Sequence, residues 1–126
     1  MRHDILWGRE VRLVIGIVSK SSAVETLLNN LSEADFDLND VSVMMRDSQA
    51  RDAIAKDAGP FKGLALADLA DRLVHLGLSK PDAQKYTDAV VQGKVFVAIA
   101  TPRESEHAAA EMLQDAYAEL IKVAGQ

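Results

Sequence analysis

Apolar residues recur along this chain in two rhythms, and the switches between them divide it into elements. Val11 to Val18 is almost continuously apolar, short and β-branched, which predicts a strand. Ser22-Ala23-Val24-Glu25 then reads as a capping box, and Val24, Leu27, Leu28 and Leu31 follow at helical spacing, predicting an amphipathic helix over 22–34. Asn39-Asp40 marks a turn, and Val41 to Met45 predicts a second strand. Ser48 can cap a short helix running to about Ala58, stopped by Gly59-Pro60. Leu66, Leu69, Leu73 and Leu76 form the packing stripe of a helix over 64–76 that Gly77 ends. Ser79-Lys80-Pro81-Asp82 opens another over 80–92, with proline in the first turn where its missing N–H costs nothing, and Gly93 closes it. Val95 to Ala100 predicts a third strand. Thr101-Pro102-Arg103-Glu104 reads as a second capping box, launching a long helix over 102–122 through Met112, Leu113, Tyr117, Leu120 and Ile121.

The strands are apolar on both faces. Leu13, Ile15 and Ile17 alternate with Val14, Gly16 and Val18, and Val95, Val97 and Ile99 alternate with Phe96, Ala98 and Ala100. Such a sheet needs cover on each side. The two long helices shelter one face. The other requires either the central helices or a second copy of the sheet, and the second option makes a face-to-face homodimer the expected assembly. The halves Val11–Leu31 and Val95–Leu120 echo one another as strand, cap and helix, but nothing recurs at a fixed period. Without a low-complexity linker, residues 1–126 read as one domain, with 48–92 a helical insertion between the second and third strands.

Composition narrows the function classes. The chain has 126 residues, 48% hydrophobic and 26% charged, with a formal net charge of −5. That balance describes a globular domain and argues against a general nucleic-acid binder, which carries a basic excess. Aromatic residues, at 5%, leave little for stacking on unpaired bases. The absence of cysteine removes disulfides, thiolate catalysis and cysteine-based zinc sites. The apolar stretch after Met1-Arg2-His3-Asp4 is broken by Gly8, Arg9, Glu10 and Arg12, unlike a signal peptide, and no 18-residue apolar run exists for a membrane span. A cytoplasmic location without membrane contact is therefore expected.

The run Leu76, Gly77, Leu78, Ser79, Asp82, Ala83, Tyr86 and Gly93, leading into the third strand, resembles the recurring core of bacterial general stress proteins of the YflT type. The resemblance spans roughly residues 11–121 and rests on caps, helix stops and core positions. It implies an α/β (α+β) fold of the ferredoxin-like βαβ…αβα kind and an association with stress response, and it carries over no catalytic residues. The chain departs from the pattern in two places. Only Gly59 and Gly63 stand where members have a glycine-rich stretch, and Lys122 to Gln126 is too short for the fourth strand many members have. On this reading a fourth strand must come from Asp4–Trp7 or from another subunit. Trp7 itself reads as a packing plug or a subunit contact.

Candidate chemistry is sparse. With the first and third strands expected side by side and parallel, the loops leaving them meet at one sheet edge. Ser19, Lys20, Ser21 and Ser22 from one loop, with Thr101 and Arg103 from the other, would combine two helix N-termini, hydroxyls and two cations, the composition of an anion site. Routine capping by Ser22 and Thr101 explains the same residues. Glu104, His107 and Glu111 share one helix face at metal-ligand spacing, yet no second Glu-x-x-His faces them, so a solvated face is the better account and no metal is expected. Asp71 and His75 read the same way. No Gly-x-Ser-x-Gly, Gly-x-Gly-x-x-Gly or Walker sequence occurs. The chain is thus expected to be a non-enzymatic, cofactor-free, stress-associated protein acting by self- or partner association. The alternative is a regulatory module sensing an anionic metabolite at those two loops.

Overall fold

Residues 11–46, 54–56 and 64–124 are described by the computed structural model. The first strand, β1 (Val11–Val18), leads into α1 (Ser21–Glu33), and a short 3-10 turn at Leu38–Asp40 delivers the chain to β2 (Val41–Met45). β3 (Ile54–Lys56) follows, then α2 (Leu69–His75), α3 (Lys80–Val91), β4 (Val95–Pro102), α4 (Glu106–Asp115) and β5 (Glu119–Ala124). The five strands form one sheet in the order β3-β2-β4-β1-β5, and every neighbouring pair is antiparallel. The protein is therefore α+β, with β4 and β1 adjacent near the middle of the sheet.

Both faces of the sheet carry a packed core, as the two-sided apolar strands require. On one side Val14, Val18, Val97 and Ile99 meet Val24, Leu27 and Leu31 of α1 and Ala109 and Leu113 of α4. On the other, Leu13, Ile15, Ile17, Phe96 and Ala98 meet Leu69 and Leu73 of α2 and Ala83, Tyr86, Ala89 and Val90 of α3. Among the described residues, the second face is thus covered within the chain by the central helices. Leu66–Asp68 forms a 3-10 turn, so α2 is a shorter helix than the 64–76 stripe predicts.

The four described helices all end in one local device. After each, a residue in the left-handed region lets its own N–H and the next reach back into the last turn. The pairs are Asp35 N–H to Ser32 and Phe36 N–H to Leu31, Gly77 to Val74 and Leu78 to Leu73, Gly93 to Val90 and Lys94 to Ala89, and Tyr117 to Gln114 and Ala118 to Leu113. These are Schellman stops. Glycine fills the left-handed position after α2 and α3, at φ of 110° and 101°. Asp35 (69°) and Tyr117 (59°) fill it after α1 and α4. A guanidinium reinforces the end of α3, where Arg46 Nη1 donates to the Val91 carbonyl at 2.5 Å.

Several expectations are overturned. The final helix stops at Asp115 rather than running to 122, and the segment beyond it supplies the fourth strand of the main sheet. The fourth strand expected from Asp4–Trp7 or another subunit is thus supplied by Glu119–Ala124; Asp4–Trp7 lies outside the described residues. Ile54–Lys56 pairs with β2 as a strand where a helix over 48–58 is expected; the rest of that span lies outside the described residues. Neither capping box forms. Helix α1 begins at Ser21 with Lys20 at its cap position and no side-chain cap, and Thr101 belongs to β4. Among the caps that fall in the described residues, Ser79 behaves as predicted, its Oγ accepting from the Asp82 N–H at 3.3 Å; Ser48 lies outside them.

Candidate functional site

The antiparallel pairing of β1 and β4 decides the fate of the expected anion site. Val18 stands opposite Val95 and Val11 opposite Pro102, so the loop leaving β1 lies at the end where β4 begins. Ser19, Lys20, Ser21 and Ser22 are therefore separated from Thr101 and Arg103 by the length of the sheet, roughly 20 Å for seven residue steps. Parallel neighbours would have brought the two loops together; antiparallel neighbours cannot. Ser19, Lys20, Ser22 and Arg103 are exposed, while Thr101 is buried at 1% exposure. The Thr101 hydroxyl has no hydrogen-bond partner, and nearby Arg12 Nε approaches Glu106 Oε1 at 3.6 Å. That end of the sheet is consequently neutralised rather than cationic.

Glu104 falls in a 3-10 turn, Arg103–Ser105, before α4, while His107 and Glu111 lie on α4, and all three are exposed. His107 Nε2 lies 3.2 Å from Glu111 Oε2 with both side chains well exposed, and among the described residues no group of acids and histidines is arranged to hold a metal ion. A shallow hollow of about 310 Å³ beside Asp68, Asp71, Arg72 and His75 has no such arrangement either.

The unusual geometry sits at β5 instead. Five large apolar side chains are notably exposed among the described residues, and three of them, Tyr117, Leu120 and Val123, belong to the α4–β5 turn and to β5. Tyr117 is 88% exposed although its φ of 59° is one that a bulky residue adopts at a cost. Leu120 repeats the conflict at 55°. Its cause is a β-bulge. Ile17 pairs with Glu119 and Ile15 with Lys122, so Gly16 alone faces both Leu120 and Ile121. A Cβ on Gly16 would already stand at van der Waals contact, 3.4 Å from both the Ala118 Cβ and a Leu113 methyl, which leaves no room for a larger side chain.

Three tethers fix the bulged strand to α3 and to the turn after it. The Tyr86 hydroxyl donates to the Leu120 carbonyl at 2.5 Å, capturing the oxygen that the bulge turns aside. Lys122 Nζ lies 3.1 Å from Asp82 Oδ2, and Lys94 Nζ lies 3.4 Å from Glu119 Oε2. Tyr86 is itself anchored, its ring meeting Phe96 edge-on at 5.9 Å. Burial, with a smaller push from the Asp82 charge, raises its pKa to about 12, so the phenol stays a donor at neutral pH. The hydrogen bond and charge of Lys122 hold the Asp82 carboxyl below the usual carboxylate range. Between the α3 N-terminus and β5 lies an open cleft of about 400 Å³ lined by Gly77, Ser79, Asp82, Lys122 and Val123 among others. Its two opposite charges are already paired with each other, which leaves no net charge to recruit a metabolite.

The sequence carries only a faint signal for this edge: β-branched Ile121 and Val123 flank a polar Lys122, the alternation of a half-exposed strand. No described helix is long and apolar enough to cross a membrane. Comparison with family models, curated proteins and solved structures found no match to this chain.

Proposed function

We propose that this chain is a small, non-enzymatic, stress-associated protein that works by association, with β5 and the turn before it as the contact surface. The single observation that carries the reading is Tyr117. A left-handed helix stop favours glycine, and a tyrosine there forgoes about 1 kcal/mol of stability while its ring points into water. Strain of this kind concentrates where a side chain is presented for use, and tyrosine is a preferred anchor of protein contacts. Leu120 and Val123 are also exposed, on a strand that, among the described residues, pairs only on its β1 side. The order β2-β4-β1-β5, with α1 joining β1 to β2 and α4 joining β4 to β5, supports a ferredoxin-like reading of the fold. That reading agrees with the resemblance to YflT-type stress proteins. A cytoplasmic location suits a chain without cysteine.

Two measurements test the assignment. In dilute, unassociated chains, Tyr117→Gly should raise the unfolding free energy by about 1 kcal/mol, since glycine relieves the backbone while no buried contact within the chain is lost. A photo-crosslinking residue at position 117, expressed in the source cell, should give one discrete product identifiable by mass spectrometry. The same residue at Asn29, exposed on α1, should give none. Equal labelling at both positions would remove β5 as the contact surface.

A further inference from the structure

We propose that the partner received by β5 is a second copy of this chain, its β5 running antiparallel across a two-fold axis that passes between Leu120 and Ile121. The inference rests on the association reading and names its partner. The first argument is charge. Glu119 and Lys122 lie on the same face of β5, since they pair with Ile17 and Ile15, whose side chains both join the α2–α3 core, and they reach Lys94 and Asp82 on that side. They are of opposite sign and placed symmetrically about the bulge. An antiparallel twin sets each Glu119 beside the partner's Lys122 and each Lys122 beside the partner's Glu119. A parallel twin would set like against like, which cross-strand neighbours resist.

The second argument is shape. In a regular strand, residues three apart point to opposite faces, and it is the extra residue of the bulge that brings Glu119 and Lys122 to one side. Bulges and edge charges ordinarily keep a sheet edge from pairing with any passing strand, because a straight strand cannot follow the kink. A copy of β5 carries the same kink at the matching position. The feature that rejects other strands therefore accepts this one, and the result is a continuous sheet with five strands from each chain. Leu120, 39% exposed, then meets the partner's Ile121 beside the axis, Val123, 45% exposed, lies beside the partner's Ala118, and Tyr117 lies at each end of the paired strands.

The chain's lack of cysteine gives a direct test. Single variants Glu119→Cys and Lys122→Cys are prepared separately, then mixed and mildly oxidised. Directly opposed residues of an antiparallel pair fall within disulfide reach, whereas two copies of one position are about 10 Å apart in this register. The mixture should yield a disulfide-linked dimer containing one chain of each variant, and neither variant alone should cross-link appreciably. Light scattering on the unmodified chain should give twice the 13.7 kDa of one chain, and Tyr117→Gly should weaken that dimer about tenfold or more. A single-chain mass at the highest soluble concentration overturns the proposal, as does preferential linking of two Glu119→Cys chains to each other. If the position-117 crosslinker then captures a different protein, the association reading stands and only the identity of the partner falls. If it captures nothing, both fall.

Discussion

β4 and β5 are strands of one sheet, yet they owe their conformation to different causes. Every residue of β4 from Val95 to Thr101 is buried, and its β-branched, two-sided apolar run is a strand from composition alone. β5 buries only Ala124 fully, is kinked, and is fastened from outside by Tyr86, Lys94 and Asp82. A central strand is specified by its own residues. An edge strand is specified by what stops the helix before it and by what ties it down.

Substitutions should separate these two kinds of strand. Phe96→Ala in β4 should cost about 4 kcal/mol in denaturant unfolding, because it empties a fully buried site and removes the Tyr86 ring contact. Val123→Ala in β5 should cost under about 0.5 kcal/mol; equal losses would erase the distinction. Gly16→Val should cost about 2 kcal/mol, because its methyls enter the space held by Ala118 and Leu113. The loss should appear as faster amide exchange in β5 than in β4.

Tyr86→Phe tests the strongest tether. It orphans the Leu120 carbonyl and should cost about 1 kcal/mol at neutral pH. The folded pKa of Tyr86, about 12, lies above the unfolded value near 10, so the protonated phenol stabilises the native state. That contribution is complete below about pH 10 and is lost as pH rises from there through 12, on the order of 2 kcal/mol in all. Alkaline titration of stability should show this decline in the parent chain and a smaller one in Tyr86→Phe. The smallest effect belongs to Lys122→Ala. The depressed folded pKa of Asp82 means that its contribution is present above the unfolded carboxylate value and fades as pH falls below it. Removing Lys122 should flatten that acid limb and leave the melting temperature at neutral pH nearly unchanged.

The same contrast explains how far the sequence can be read. β1, β2, β4, α1 and α3 are legible to within one or two residues, because burial periodicity and the Gly93 stop are local signals. β5 is hidden because Met112, Leu113, Tyr117, Leu120 and Ile121 keep helical spacing straight through a helix end that has no glycine. β3 is three residues long and pairs through a shifted register, too little pattern to outweigh a Ser48 cap signal. The anion site fails for a topological reason. Serines, threonine and cations do lie at the ends of their strands, but the ferredoxin-like order that the resemblance implies already sets the two central strands antiparallel, so these loops leave opposite ends of the sheet.

Among the described residues the sheet carries two separate hydrophobic clusters, one using each alternate side chain of the strands they share. A change that loosens the α2–α3 cover therefore need not disturb the packing beneath α1 and α4. Sequence drift on either side can proceed at its own pace, so distant descendants of this chain would be recognisable by one face long after the other had been rewritten.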